Sequence, residues 1–410
     1  MPAEQASVSD LPLNPISEHN RLINIDIIRG VAVLGILLLN IQSFSMIIAA
    51  YQNPLAYGDF TGGNQTVYYF THLFADQKFM TIFATLFGTG IALMAARQEQ
   101  KGGSARGLHY RRMAILAIIG LIHLYLFWYG DILFFYAIVG MLAFTVRNKT
   151  PRFLLISAFF LLLINALLIY LPGFALPYMS DADVHEMMME WQPTEDLINA
   201  EINAFQLSWL EQMNHRMKIG SDMLLNLAFY SFRVLGLMMT GIALYKVDYF
   251  GARFSNRSLI IQAILCFCVG CSIILTRLNF NLEQDFPLES ILPQENYWGS
   301  LLLAYAYMCS LVLFCRTNRL ARLKASMANV GKLALTNYLG QTLICTFIFH
   351  GWGLGRFGEF DRTEQLLTVL AIWAIQIIFS NSWVKHFQYG PFEWLWRSMT
   401  YGKKQPMLRH

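Results

Sequence analysis

His123 and Asp131 lie eight positions apart, on either side of Trp128, Tyr129 and Gly130. If the runs flanking that turn fold back on each other, imidazole and carboxylate point into one region. A carboxylate beside an imidazole orients the ring and raises its basicity, which suits a general base. Simpler roles are open to both: His123 as a core residue, and Asp131 as the cap of the helix it begins, where a carboxylate meets free N–H groups and the positive end of the dipole. His72 offers a second imidazole, with Asp76 and Lys78 close behind it. Arg233 interrupts an apolar run, and His350 ends another that carries Asn337 and Gln341. Asp26 and Arg29 share a helical face, and Gly30 after them lets another backbone come close. Asn40 and Gln42 follow on the same run, where buried amides commonly tie helices together. Ionisable groups in apolar runs are costly, so each is a functional hypothesis by default.

The elements that must position these residues are membrane helices. Ten apolar stretches are present, near 27–48, 79–96, 113–128, 132–146, 153–171, 225–245, 259–275, 300–315, 330–349 and 366–384. Lipid offers the backbone no partners, so apolar runs of about 20 residues become helices. The expected fold class is all-α, a polytopic membrane protein. Lys and Arg decide its orientation. One set of loops holds Arg97, Lys101, Arg106, Arg111, Arg112, Arg147, Lys149, Arg152, Lys246, Arg253, Arg257, Arg316, Arg319, Arg322, Lys324 and Lys332. The intervening loops hold only Lys78, Arg216, Lys218, Arg277, Arg356 and Arg362. The first set, with both chain ends, is expected in the cytoplasm. The net charge of +4 belongs to those inner loops and does not point to nucleic acid.

Three parts are expected: a polar cytoplasmic segment 1–26, a membrane domain 27–384 with an outer amphipathic loop 172–223, and an interfacial segment 385–410. The first segment lacks the apolar core of a signal peptide, so the first helix reads as an uncleaved anchor. In the outer loop Met188, Trp191, Leu197, Phe205, Trp209 and Met213 recur at helical spacing. This predicts an amphipathic helix or helix pair, read as a surface cap rather than a substrate lid. The stretch from Gly390 to Arg397 alternates aromatic and charged residues and reads as a membrane-surface anchor. The six cysteines sit in or at the ends of helices, so no disulfide framework is implied. Cys266, Cys268 and Cys271 lie mid-helix as small packing residues, and no metal is expected. His123 and His350 lie too near an aqueous face for a haem pair, so no haem is expected either. Thr89–Leu93 and Thr240–Leu244 repeat TGIAL in the same orientation, unlike an inverted transporter repeat.

Many of these residues fall in motifs of a known family. They are Asp26-Ile-Ile-Arg29-Gly30 with Asn40; Lys78-Phe79 before Leu86-Phe87-Gly88; His123 with Gly130-Asp131; Thr336-Asn337-Tyr338 with Gln341; and Gly390 to Arg397. They span nearly the whole chain in order. In them the chain resembles the bacterial YeiB-like family, formerly catalogued as a domain of unknown function. That resemblance implies a multi-pass protein of the bacterial inner (cytoplasmic) membrane. The family looks distantly similar to membrane acyltransferases, including heparan-glucosaminide N-acetyltransferase, which carry an acyl group from cytoplasmic acyl-CoA to an acceptor on the far side. There the residue matching Asn40 and a histidine of the following outer loop are implicated in transfer. His72 is the only histidine in the corresponding loop here.

The similarity therefore implies a transmembrane acyltransferase with acyl-CoA as donor and a glycan or small-molecule hydroxyl or amine as acceptor. Arg111, Arg112 and Lys332 would attract the phosphates of CoA. His72 or His123 would serve as base or carry the acyl group, with Asp131 orienting a base and Asn40 bonding the oxyanion. Asp26, Arg29, Lys78, Arg233, Asn337, Gln341 and His350 complete the expected substrate-binding set. One rival reading is a small-molecule or proton-coupled transporter, with Arg233, His123 and Asp131 along its path. Another is a non-catalytic membrane scaffold. Membrane lipids are the expected surroundings, and an oligomer is compatible with all three.

Overall fold

A computed structural model describes residues 18–291 and 294–409. Its helices are, in chain order, α1 Glu18–Ser45, α2 Ile48–Gln52, α3 Gly62–Phe74, α4 Lys78–Gln100, α5 Ala105–Leu126, α6 Leu133–Thr145, α7 Pro151–Ala175, α8 Asp181–Trp191, α9 Glu195–Gln206, α10 Met213–Lys246, α11 Asn256–Glu283, α12 Gln294–Arg316, α13 Ala321–Lys332, α14 Ala334–Phe349, α15 Arg362–His386 and α16 Pro391–Tyr401. A helix stands at each of the apolar stretches, and the protein is an all-α membrane protein. Among the described residues, seven helical stretches are long and apolar enough to cross a membrane, and α6 and α14 are shorter apolar helices. The apolar run of α5 is diluted by Arg111, Arg112 and two histidines near its ends.

α1 is the hub. Inside its apolar window 78% is buried, against 22% for α7 and 17% for α11. The latter two turn Phe159, Phe160, Leu167, Ile264 and Leu265 outward, as helices do where lipid is the neighbour. α1 crosses α13 at two glycines. A methyl group on Gly30 would sit 2.0 Å from the Met327 carbonyl oxygen, and one on Gly331 would sit 1.9 Å from that of Asp26. Small residues permit this approach, as the Gly30 position leads one to expect. α4 and α10 meet in the same way, and the Thr89 hydroxyl donates to the Gly241 carbonyl at 3.0 Å. The two TGIAL copies thus pack against each other.

Two boundaries and one packing relation differ from expectation. α1 begins at Glu18, so residues 18–26 are helical rather than a polar lead-in, while residues 1–17 lie outside the described residues. The run 330–349 is two helices, broken at Leu333 (φ −104°, ψ 30°). Asn337 Nδ2 donates to the Val330 carbonyl at 3.1 Å, giving the broken turn a side-chain partner. α16 does not merely lie at a surface: it packs on α5 and α14.

The loop 172–223 contains the expected helix pair, α8 and α9. Ser180 caps α8 by accepting from the Asp183 N–H. Trp191 and Phe205 are the buried anchors of the pair. Trp191 Nε1 donates to the Phe286 carbonyl at 2.9 Å, and the Gly351 N–H donates to the Phe205 carbonyl at 2.9 Å.

Candidate functional site

A cavity of about 290 Å³ lies among α1, α4, α5, α6, α13, α14 and α16. Arg29, Arg112, Lys332 and Arg397 line the part nearest the basic loops. Phe83, Phe87, Ile91, Met94, Met113 and Leu116 supply apolar walls, and Ile132, Leu133, Tyr136 and Tyr338 line it further in. A space of this kind, apolar with a few charged groups, is what small-ligand sites look like. Four cations against the single carboxylate Glu393 make its lining electropositive.

The sequence builds each wall differently. Arg29 is held by Asp26 at 2.8 Å, the expected pair on one helical face. Arg112 stacks over the Trp396 ring at 4.1 Å, and Trp396 Nε1 donates to the Arg112 carbonyl at 2.8 Å. That contact fastens α16 beneath α5 and makes it the floor of the cavity. Glu393 reaches from α16 to the first turn of α14, where the Thr336 N–H donates to Oε1 at 3.0 Å. Burial raises the Glu393 carboxyl above its ordinary range, and the Thr336 bonds act in the opposite direction. His109 also lines the cavity, its ring stacked on Phe144 at 4.2 Å with Nε2 3.1 Å from the Gly140 carbonyl. Of the expected CoA-binding set, Arg112 and Lys332 line the cavity. Arg111 does not; it is exposed beside Gly402.

His123 and Asp131 come together as the folded-back hairpin predicts. His123 Nδ1 is 2.8 Å from Asp131 Oδ1, and both residues are buried. Asp131 Oδ2 accepts the Phe134 N–H at 2.8 Å, so the carboxylate caps α6 and faces the imidazole at once. Nε2 of His123 is 2.8 Å from Thr342 Oγ1. Thr342 was not among the expected site residues, because one threonine in an apolar run carries no signal of its own. Tyr338, one turn before it on α14, packs 5.4 Å from the His123 ring and donates to the Gly130 carbonyl at 3.3 Å. Tyr338 therefore faces both the cavity and the His123 group.

The remaining expected residues form separate networks. His72 Nδ1 is 3.7 Å from Asp76 Oδ2. Lys78 Nζ donates to the His72 carbonyl and to Asn296 Oδ1, each at 2.7 Å, and Asn296 Nδ2 donates in turn to Asp76. Arg233 meets neutral acceptors, Gln77 at 2.6 Å, Thr81 at 3.2 Å and Ser300 at 3.1 Å, and lies over the Tyr297 ring. His350 packs on Phe205 at 5.0 Å beneath α9. So His72, Arg233 and His350 do not share the His123 network. Asn337 and Gln341 are buried ties: Asn337 Nδ2 also reaches Ser380 at 3.0 Å, and Gln341 Nε2 donates to the Val33 carbonyl and to Gln376. Asn40 is half-buried, on the α1 stripe that carries Leu37 and Phe44. Phe44 stacks on Trp128 at 4.0 Å, and Trp128 lies 6.3 Å from the His123 ring. Trp128 Nε1, Gln42 Oε1 and both ring nitrogens of His350 are buried without a protein partner among the described residues.

Comparison with known proteins identifies relatives of the chain. Residues 244–403 match a family described as "Protein of unknown function (DUF418)". The chain is similar to "Uncharacterized protein YeiB" of Escherichia coli (strain K12), 32% identical over 95% of this chain and 98% of the relative. It is also similar to "Uncharacterized protein YxaH" of Bacillus subtilis (strain 168), 29% identical over 97% of this chain and 98% of the relative. No solved structure matches. Identity at that level across almost the full length of both chains means that this protein belongs to the YeiB-like family.

Proposed function

We propose that the protein is a transmembrane acyltransferase of the bacterial inner membrane, taking an acyl group from cytoplasmic acyl-CoA to a hydroxyl or amine acceptor of the envelope. The observation that carries this reading is the cavity: cations at the end nearest the basic loops, apolar walls, and Tyr338 shared between its lining and the His123 surroundings. With the basic loops in the cytoplasm, Arg29, Arg112, Lys332 and Arg397 would meet the phosphates of CoA, and Arg in particular suits bidentate contact. The acyl chain would lie along Phe87, Met94 and Leu116. A volume of about 290 Å³ favours a short acyl group.

Chemistry would occur at His123. With Asp131 ionised, Nδ1 donates to the carboxylate and Nε2 is left as the base. The acceptor would come from the opposite side, where Trp128 Nε1, Gln42 Oε1 and the His350 ring offer free hydrogen-bonding capacity for a hydroxyl-bearing molecule such as a sugar. The test is a proteoliposome assay with labelled acetyl-CoA on the inner side and sugar acceptors outside. Label in the acceptor, with saturable and salt-sensitive CoA binding, is the expected result. Absence of both CoA binding and transfer overturns the proposal.

One observation favours a transporter instead. Lys78 and Arg233 are two buried cations near a single buried carboxylate, Asp76, an excess that suits an anion path. Uptake of an anion without chemical change would select that reading.

A further inference from the structure

We propose that Thr342 is the nucleophile that carries the acyl group, with Tyr338 as the gate between donor cavity and nucleophile; this rests on the acyltransferase reading above. The argument begins with hydroxyl partners. Thr85, Thr240, Thr276, Thr346 and Thr368 each return their hydroxyl to the carbonyl four residues earlier in their own helix. That is the ordinary fate of a threonine inside a helix. Thr342 instead meets the imidazole of His123 at 2.8 Å.

The direction of that bond follows from the other end of the chain of contacts. An ionised carboxylate only accepts, so His123 Nδ1–H donates to Asp131. When the imidazole is neutral, its lone pair is then at Nε2 and Thr342 is the donor. Asp131 is fixed on its second oxygen by the Phe134 N–H at 2.8 Å. Carboxylate, imidazole and hydroxyl thus stand in the order that activates a hydroxyl for acyl transfer.

The acyl step balances as follows. Thr342 Oγ attacks the thioester carbonyl of acyl-CoA while its proton passes to His123 Nε2. The carbon–sulfur bond breaks, and the proton goes to the departing CoA sulfur. A threonyl ester remains. The acceptor hydroxyl then gives its proton to Nε2 and takes the acyl group, and the proton returns to Thr342. Access is the part Tyr338 governs. Tyr338 lines the cavity, whereas His123, Asp131 and Thr342 do not. It precedes Thr342 by one helical turn on the same face. Turning its ring away from the Gly130 carbonyl would join the cavity to the hydroxyl.

The experiment uses the full-length protein in detergent with labelled acetyl-CoA and no acceptor, quenched in acid and mapped by peptide mass. The expected result is one acetyl group on the peptide holding Thr342, released when a sugar acceptor is added before the quench. Thr342→Ser is expected to keep the label. Thr342→Val is expected to lose it and to lower transfer by at least about 100-fold while still binding CoA. Transfer to acceptor with no label on the wild-type protein, or label on another residue, overturns the nucleophile and leaves the acyltransferase reading standing. Absence of CoA binding and of transfer removes both.

Discussion

Glu393 grips Thr336 with both carboxylate oxygens, one taking the backbone N–H at 3.0 Å and the other the hydroxyl. The first N–H groups of a helix have no partner within it, and its N-terminus attracts negative charge. Here the need arises inside the protein, because α13 breaks at Leu333 and α14 starts afresh. A residue 57 positions away supplies the cap. The break, the cap and the cavity floor are therefore one construction.

Replacing Glu393 tests that construction. Glu393→Ala is expected to destabilise the protein by about 0.5–2 kcal/mol, the usual cost of a lost helix cap. If the proposed acyl-CoA site is this cavity, the variant should also weaken CoA binding, since α16 holds Trp396 and Arg397 in the lining. Glu393→Gln still accepts the Thr336 N–H and should lie between the two. Thermal unfolding in detergent measures the order, and an unchanged midpoint for Glu393→Ala would show that the cap contributes nothing.

A second prediction concerns charge balance at the opposite end of the bundle. Asp76 is the carboxylate in the network of His72, Lys78 and Asn296, and Arg233 lies nearby with neutral partners. Asn296 bridges Lys78 to Asp76, so removing the carboxylate leaves a buried ammonium without its nearby counter-charge. Asp76→Asn should therefore be strongly destabilising. Lys78→Met in the Asp76→Asn background should recover part of the loss. If the double variant is no more stable than Asp76→Asn alone, the two charges are not coupled.

The α8–α9 cap should respond to pH. Glu201 on α9 accepts the Ile48 N–H at 2.9 Å, and burial pushes its carboxyl up to about 7. A carboxyl that holds its proton more tightly when docked favours the docked cap at low pH. That contribution falls as pH rises toward about 7, where the buried group must ionise. Protection of α9 against hydrogen exchange, measured relative to the intrinsic exchange rate at each pH, is expected to fall between pH 4.5 and about 7, the range between the ordinary and the docked carboxyl. Glu201→Gln should flatten the response. Equal pH dependence in both proteins would assign it to other groups.

The parts of this molecule set by local rules were legible in its sequence. Apolar runs gave the helices, Gly30 announced the crossing with α13, and the turn at Gly130 placed Asp131 against His123. What escaped depends on contacts between distant segments. The tail motif from Gly390 to Arg397 has the composition of an interfacial anchor, and only packing against α5 and α14 turns it into a cavity floor. Thr342 is one hydroxyl in an apolar helix, and its partner lies 219 positions away. Asn337 and Gln341 were visible as polar residues in lipid, but periodicity does not say whether an amide meets a ligand or a neighbouring helix; here they tie to Ser380, Val33 and Gln376.

The most informative single substitution is Asp131→Asn. An asparagine can keep its carbonyl oxygen on the Phe134 N–H and so preserve the cap of α6. Its amide then turns N–H groups toward His123 Nδ1, which must accept rather than donate. The imidazole proton moves to Nε2 and points at Thr342, so the ring no longer acts as a base toward the hydroxyl. Under the proposed acyltransferase reading, fold and CoA binding should be nearly unchanged, whereas acyl transfer should fall by about 10²–10⁴-fold, the contribution expected of a positioned base. The paired measurements are the melting midpoint and the initial rate with labelled acetyl-CoA. A variant that keeps both its midpoint and its rate would reduce Asp131 to a helix cap, whereas one that loses its midpoint would show that the carboxylate serves the fold before any reaction.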